Sequence, residues 1–187
     1  MIDRRIQKTK DILSRALVSL IREKDYDTIT IQDILDRSNV GRSTFYTHFE
    51  NKDQLLIAGN DNFKKILHSH YINGEFVINF SFFYQHIKDN YKLADYFFGA
   101  KGGDILQVFF RNLLTDMLLT HAKNKQKNLD RRTMKMLSFK TEALADAVIH
   151  LLRLWVEDKM QFTINEMVAM SNAILKPFLL EIEGSHN

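Results

Sequence analysis

The segment Thr28–Leu56 constrains the fold most strongly, because it carries the signals of two short helices joined by a tight turn. Thr30 is followed three residues later by Asp33, which resembles the spacing of a capping box at the start of a helix. This first helix is expected to run to about Arg37. Asn39 follows it closely, and asparagine readily adopts the left-handed backbone conformation that a tight turn needs. The segment therefore predicts a helix-turn-helix.

The second of these helices has one apolar edge and one polar edge. Phe45 and Phe49 lie four residues apart, so both rings belong to the buried side. Arg42 is in the first turn, where a helix in the major groove reaches base edges, and its guanidinium suits the paired acceptors of guanine. Hydroxyl and ring donors farther along suit phosphate oxygens, although two ordinary surface helices would also carry polar residues. The residues predicted to contact double-stranded DNA are Thr30, Gln32, Arg42, Ser43, Thr44, Tyr46, Thr47, His48 and Lys52.

The stretch VGRSTFYTHFENKDQLL resembles the signature of TetR-type bacterial transcriptional regulators. Three positions depart from the family pattern, where Asn39 replaces a usual glycine, Gly41 a usual capping serine, and Ser43 a usual glycine or alanine. Glycine is still an acceptable N-cap, costing only about a few tenths of a kcal/mol, so the helix start is expected to persist. Ser43 adds a hydroxyl that can reach DNA and alter base preference. The positions in register with the signature are Val40, Thr44, Phe45, Tyr46, His48, Phe49, Lys52 and Leu55.

Composition favours an all-α fold, in which an N-terminal three-helix bundle with the helix-turn-helix precedes a larger helical domain. The 187 residues include one proline and seven glycines, so long segments are uninterrupted, and strand-like alternation is scarce. A first helix over about residues 4–24 completes the bundle. We assign residues 1–50 to DNA binding and residues 51–187 to effector binding and dimerisation. About nine helices are expected, as is usual in the resembled family.

Cysteine is absent, which excludes disulfides, thiolate zinc sites and thiol redox sensing, and fits a reducing compartment. No signal peptide is recognisable, and no apolar stretch approaches the roughly 20 residues that a membrane span needs. We therefore expect a cytoplasmic protein without a membrane partner. The net charge is only +3, so bulk charge alone does not indicate DNA binding.

Apolar spacing predicts the helices that follow the helix-turn-helix. The first of them starts near Lys52 and continues through Leu67, so it would join the two domains. The basic segment His121–Lys135 is interpreted as an exposed loop rather than a second nucleic-acid surface, because no aromatic residues interleave for stacking. The other helices are expected at about 76–89, 91–98, 104–122, 133–159 and 164–182.

Aromatic residues are concentrated between Tyr71 and Phe110, where more than half of the chain's rings lie. Rings at this density either form a packed aromatic core or line a hydrophobic cavity for a small effector. The resemblance implies that such a cavity belongs to the helices from about Phe76 to Leu152. The candidate effector-binding residues are Phe80, Phe83, Tyr84, Tyr96, Phe97, Phe109 and Asn112.

The last two helices carry wide apolar faces that a single subunit of this size would have difficulty covering. In the resembled family, two such helices from each of two subunits form a four-helix bundle, although both faces packed inside one subunit is the alternative. A homodimer would present two recognition helices to two half-sites, which implies a palindromic operator. The predicted dimer interface is Leu144, Val148, Leu151, Trp155, Met167, Met170, Ile174 and Phe178.

The sequence offers no catalytic constellation and predicts neither a cofactor nor a metal site. His68 and His70 are two residues apart, which places them on nearly opposite faces of a helix, and no HExxH or GxSxG motif is present. We therefore interpret the chain as a ligand-responsive transcriptional regulator, preferably a repressor that a small hydrophobic effector releases from its operator. The alternatives are an accessory DNA-binding protein without an effector and an all-α enzyme that uses the aromatic cavity.

Overall fold

The computed structural model describes residues 4–59, 67, 69–72, 75–99, 104–126 and 129–184, and nine α-helices lie within these ranges. The predicted all-α class with an N-terminal helix-turn-helix is confirmed. The chain divides into two compact units, Met1–Phe63 and Lys64–Asn187. The first unit extends beyond the predicted boundary at residue 50, because the helix that starts at Lys52 packs against the first helix of the chain.

The first unit is a small helical bundle built around side chains from each of its α-helices. Leu13, Leu17, Ile34, Phe45 and Leu55 are all almost completely buried. The elements are α1 Arg4–Ile21, a 3-10 turn Tyr26–Thr28, α2 Ile31–Ser38, α3 Arg42–His48 and α4 Lys52–Gly59.

The first elements described in the second unit form a β-hairpin that was not predicted. Its strands pair antiparallel with Ser69 opposite Ile78 and Tyr71 opposite Phe76. The helix expected from Phe76 starts only at Phe80, because Phe76 and Ile78 are buried on one face of a strand and the Asn79 side chain caps the helix that follows. The elements are β1 Ser69–Ile72, β2 Glu75–Ile78, α5 Phe80–Asp89, α6 Tyr91–Phe98, α7 Ile105–Lys125, α8 Arg131–Glu157 and α9 Ile164–Gly184.

Two predicted segment boundaries also need correction. The helix expected to run from Lys52 through Leu67 is described only to Gly59; residues 60–66 lie outside the described residues, and Leu67 itself is in a bend. The basic segment 121–135 is not a long exposed loop. Instead α7 continues to Lys125 and α8 starts at Arg131, since Asp130 caps α8 by accepting a hydrogen bond from the Thr133 amide over 2.7 Å.

Interlocking aromatic rings form the core of the second unit. Phe83 meets Phe110 edge to face with ring centroids 5.1 Å apart, and Tyr84 meets Trp155 in the same way at 5.4 Å. The Tyr84 hydroxyl also hydrogen-bonds the Ser171 Oγ over 2.6 Å, and burial raises the pKa of Tyr84 to about 12. These contacts join α5, α7, α8 and α9 into one core.

Candidate nucleic-acid interface

Helix α2 follows the predicted cap Thr30 and ends at Ser38, one residue beyond the predicted end. The Thr30 Oγ1 accepts from the Asp33 amide over 3.1 Å while the Asp33 carboxylate accepts from the Thr30 amide over 2.7 Å, so the capping box is complete. The Lys24 ammonium, 2.8 Å away, and the Thr30 donors hold the pKa of the Asp33 carboxyl well below its usual range. Asn39 ends the helix in the left-handed conformation, with φ 54° and ψ 37°. The start of α2 and the turn that follows it are thus determined by the same residues on which the prediction was based.

Helix α3 presents a polar edge to solvent and an aromatic edge to the core. Gly41 is its N-cap with extended backbone, so the departure from serine leaves the helix start intact. Phe45 and Phe49 are buried, and their ring centroids lie 5.8 Å apart. His48 is half-buried, with its ring against Phe49. The exposed residues of α3 are Arg42, Ser43, Thr44, Tyr46 and Thr47.

Two of the hydroxyl groups predicted to contact DNA donate hydrogen bonds within the chain. The Thr30 hydroxyl donates to the Asp33 carboxylate over 2.7 Å, and the Thr47 hydroxyl donates to the Ser43 carbonyl over 2.9 Å. Because a hydroxyl has only one proton, neither can donate to a phosphate while these bonds persist. The exposed guanidinium of Arg42 and the 49 % exposed side chain of Tyr46 are therefore stronger candidates for DNA contact.

Lys52 requires a correction, because its ammonium is directed into the protein. Its Nζ donates to the carbonyl oxygens of Tyr26, Asp27 and Ile29 over 2.7, 3.3 and 3.0 Å, and it lies 4.4 Å from the centroid of the Tyr26 ring. The three N–H donors of an ammonium are thereby used. The Tyr26 hydroxyl hydrogen-bonds Asp53 on the same helix, so Lys52 and Asp53 together fasten the start of α4 to the turn before α2.

We predict that Lys52→Met lowers the free energy of unfolding by about 2 kcal/mol, because carbonyl groups that faced a charged donor lose it. The methionine keeps an apolar stem of similar length. The salt dependence of DNA binding is expected to stay the same, whereas a lysine on a phosphate contributes about one unit to that slope. Chemical denaturation and salt titrations measure the two effects. Lys8→Met, at an exposed position of α1, is the control and should leave stability unchanged.

Six of the seven predicted effector residues are buried or half-buried. Phe80, Phe83, Tyr84 and Phe97 are buried among other rings, and Tyr96 and Phe109 are half-buried. Asn112 is exposed on α7, which argues against its predicted effector-binding role.

Grooves occur elsewhere in the second unit. One, of about 350 Å³, lies between β2 and α9, with Phe76, Ile78 and Leu175 among its apolar residues. Another, of about 410 Å³, lies between α7 and α8 and is more polar, with Arg111 and Asp146 3.6 Å apart in its wall. Neither groove contains a predicted effector residue.

Half of the predicted dimer interface is buried within the subunit. Val148, Trp155, Met167 and Phe178 are no more than 4 % exposed, because α8 packs against α6 and α7 while α9 packs against α5. The Trp155 indole also donates to the Phe162 carbonyl over 2.9 Å. The other predicted residues, which are half-buried, are Leu144, Leu151, Met170 and Ile174.

Two further features are absent from the described residues. No group of three or more His, Cys, Asp or Glu side chains there is arranged to hold a metal ion. Within the same ranges, no helix combines the length and apolar character needed to cross a membrane.

Two family models match the chain. Residues 12–58 match bacterial regulatory proteins of the tetR family, and residues 78–177 match a family described as transcriptional regulator C-terminal region. The second match alone covers more than half of the 187 residues. The first contains the helix-turn-helix and its exposed polar edge.

Curated relatives are similar over shorter stretches. One relative is the uncharacterized HTH-type transcriptional regulator YxbF of Bacillus subtilis. The two are 48% identical over 56 residues, which make up 29% of this chain and 15% of YxbF. This chain is 36% identical over 37% of its length to an uncharacterized HTH-type transcriptional regulator in the lacX 3' region of Lactococcus lactis, covering 35% of that protein. The HTH-type dhaKLM operon transcriptional activator DhaS of Lactococcus lactis is 33% identical over 26% of each chain. The matches thus span well under two thirds of each relative.

A solved structure is similar over nearly the whole chain. The TetR transcriptional regulator from Streptococcus agalactiae has 25% sequence identity to this chain and a TM-score of 0.56. The similarity covers 97% of both chains, so it includes the helices after the helix-turn-helix.

Proposed function

The chain belongs to the TetR family of bacterial regulatory proteins, whose members are DNA-binding transcriptional regulators, and on this premise we propose that it is a homodimeric repressor responsive to a small effector. The repressor acts on a palindromic DNA operator. It works in the cytoplasm, where a chain without cysteine meets a reducing environment.

The observation that carries this proposal is the exposed edge of α3. Arg42 and Ser43 lie in the first turn, where a helix in the major groove reaches base edges. Tyr46, one turn farther on, offers a hydroxyl to a phosphate oxygen, and Thr44 offers another. Phe45, between them and fully buried, keeps this edge turned outward.

An apolar surface on the last two helices supports the homodimer. Met136, Phe139 and Leu154 of α8 are 52, 62 and 47 % exposed. Phe139 follows Met136 by three residues and Leu154 follows Phe139 by fifteen, so all three lie on one side of the helix. Leu180 of α9 is 58 % exposed. The neighbours of Phe139 and Leu180 form the Lys140–Glu181 ion pair at 2.6 Å, which brings these parts of the two helices together. A second copy packed on this surface would cover side chains that otherwise remain in water.

Two-fold symmetry determines what such a dimer binds. Each subunit presents one recognition helix, so the operator consists of two half-sites related by the same two-fold axis. Recognition helices of this class enter successive major grooves about one DNA turn apart. The operator is therefore expected to be an inverted repeat.

Release from the operator is proposed to follow from a shift between two conformations. An effector that prefers a conformation in which the recognition helices are wrongly spaced draws the population away from DNA. The loss of DNA affinity cannot exceed the difference in effector affinity between the two conformations. The effector in this proposal is small and hydrophobic, and it must displace ring contacts if it enters the aromatic core.

A second candidate is a DNA-binding regulator that needs no effector in its core. The observation in its favour is the edge-to-face packing of Phe83 on Phe110 and of Tyr84 on Trp155, which an effector entering the core would have to displace. The sign of regulation is a separate question, since one relative, DhaS, carries the name of a transcriptional activator.

The proposed function can be tested by selecting binding sites from a random pool of double-stranded DNA with the full chain. We expect an enriched inverted repeat, a protein-to-DNA ratio of two in sedimentation of the complex, and release on adding hydrophobic compounds from a screened set. Enrichment of no sequence would contradict the operator-binding role. An operator complex that no compound releases would favour the effector-independent candidate.

A further inference from the structure

Three side chains form a hydrogen-bonded chain from α2 to the start of α3. The Arg42 Nη2 donates to the Gln32 Oε1 over 2.8 Å, and the Gln32 Nε2 donates to the Asp36 Oδ1 over 2.7 Å. All three residues are exposed. The contacts therefore lie on the surface that presents the recognition helix, and they join the side chains of α2 to the first turn of α3.

Asp36 determines how the Gln32 amide is oriented. An ionised carboxylate only accepts hydrogen bonds, so the amide nitrogen must face Asp36 and the amide oxygen then faces Arg42. If the amide turned over, its NH₂ group would face a guanidinium that can only donate, and both hydrogen bonds would be lost. The orientation that Asp36 imposes is thus the one that Arg42 requires.

Arg42 keeps enough donors for a base while it is held in this way. A guanidinium has five N–H groups, of which Gln32 occupies one, and a bidentate contact with the O6 and N7 of guanine needs two. A long side chain fixed before binding avoids part of the entropic cost of being ordered on binding. The Gln32 contact therefore prepares Arg42 for DNA instead of withdrawing it.

We propose that Gln32, oriented by Asp36, is a positioning residue that holds the Arg42 guanidinium for recognition of a guanine in the operator. The inference rests on the proposed function, because it requires Arg42 to contact a base. It also changes the role predicted for Gln32, which acts through Arg42 instead of contacting DNA itself.

The test uses the full chain and the DNA sequence that it selects from a random pool. Each base pair of one half-site is replaced in turn, and operator affinity is measured for the wild type and for Arg42→Ala. The base pair whose replacement lowers the affinity of the wild type but not that of Arg42→Ala is the one that Arg42 contacts. Gln32→Ala is expected to reduce discrimination at that same base pair by about tenfold, within the range of a bidentate arginine–guanine contact. In the Arg42→Ala background, Gln32→Ala should have no further effect, because coupled residues are not additive.

Asp36 variants distinguish the effect of orienting Gln32 from the effect of a negative charge near DNA. Removing a carboxylate near DNA raises non-specific affinity, so Asp36→Ala should bind random DNA more tightly while it loses discrimination at the Arg42 base pair. Asp36→Asn retains an oxygen acceptor for Gln32 and should restore discrimination. The matched control is Asp89→Ala, which breaks the same kind of bond, Gln85 Nε2 to Asp89 Oδ1 at 2.7 Å, on α5 and should leave base preference unchanged.

The proposal would be overturned if the effects of Gln32→Ala and Arg42→Ala were additive. It would also be overturned if the two variants lost discrimination at different base pairs. Neither result would contradict operator binding itself. If the chain selects an operator but Arg42→Ala leaves every base preference unchanged, Arg42 contacts no base. The proposal is then wrong, although operator binding stands. Failure of the wild-type chain to select any sequence would overturn it together with the proposed function. Thermal unfolding of the variants should match the wild type, because the three side chains are exposed.

Discussion

Replacing Phe45 with alanine is expected to lower the free energy of unfolding of the first unit by about 3–5 kcal/mol. The Phe45 side chain is 0 % exposed, and its ring lies 5.4 and 5.8 Å from those of Tyr46 and Phe49. Truncation removes apolar contacts and leaves a cavity where α3 is anchored. Because the unit is small, we expect α3 to lose its fixed position and operator binding to be lost with it. Chemical denaturation and a gel-shift titration measure the two losses.

Phe45→Leu and Phe82→Ala are the controls for this effect. Leucine keeps much of the buried apolar volume and should cost much less, since swaps that conserve volume usually cost under about 1.5 kcal/mol. Phe82 lies on α5 with 65 % of its side chain exposed, so its truncation should change stability little. A loss below about 1 kcal/mol for Phe45→Ala would mean that α3 is not held by this ring.

Local signals made the helix-turn-helix predictable from the sequence. The contacts that start and end α2 join residues only a few positions apart, as in the Thr30–Asp33 capping box. The left-handed conformation of Asn39 is likewise a property of one residue type in a tight turn. Such features follow from spacing and residue chemistry without any knowledge of the tertiary structure.

Lys52 shows where prediction from spacing fails. Its charge and its place at the start of a helix indicated an anion partner, but its ammonium meets carbonyl oxygens 23 to 26 residues earlier in the chain. No periodic pattern records a contact between such distant positions. A lysine within a DNA-binding motif can therefore stabilise the fold of that motif instead of contacting DNA.

Apolar periodicity located the helices of the second unit better than it located their buried faces. In α8, Trp155 and Val148 were assigned to a partner subunit, but they face the subunit's own core. Phe139 and Leu154, on another stripe of the same helix, are the exposed ones. A helix that is apolar on two sides gives no sign in its sequence of which side meets its own chain.

The β-hairpin did carry a sequence signal that helix periodicity obscured. The dipeptide Asn73-Gly74 is typical of a two-residue hairpin loop, and Phe76 and Ile78 alternate with Glu75 and Val77 after it. The alternation spans only four residues, too few to outweigh the surrounding helical pattern.

Tyr46→Ala is expected to abolish operator binding while the fold and the dimer persist. The side chain is 49 % exposed and its ring meets Phe45 edge to face, so its truncation should lower the free energy of unfolding by no more than about 1.5 kcal/mol. A hydrogen bond to a charged group contributes about 1.5–3 kcal/mol, and a two-fold dimer loses two of them, so affinity should fall by about a hundredfold or more. Gel-shift titration measures the affinity, and sedimentation measures the dimer.

Tyr46→Phe decides whether the hydroxyl or the ring carries this effect. Phenylalanine keeps the edge-to-face contact with Phe45 but has no donor, so it should lose nearly as much affinity as alanine if the hydroxyl binds a phosphate. If phenylalanine binds the operator as the wild type does, the ring and not the hydroxyl makes the contact. Unchanged affinity in both variants would remove Tyr46 from the interface and leave Arg42 and Ser43, in the first turn of α3, to account for recognition. Since a phosphate contact is independent of sequence, the loss through the hydroxyl should be equal on every operator variant, which separates it from the base-specific loss expected at Arg42.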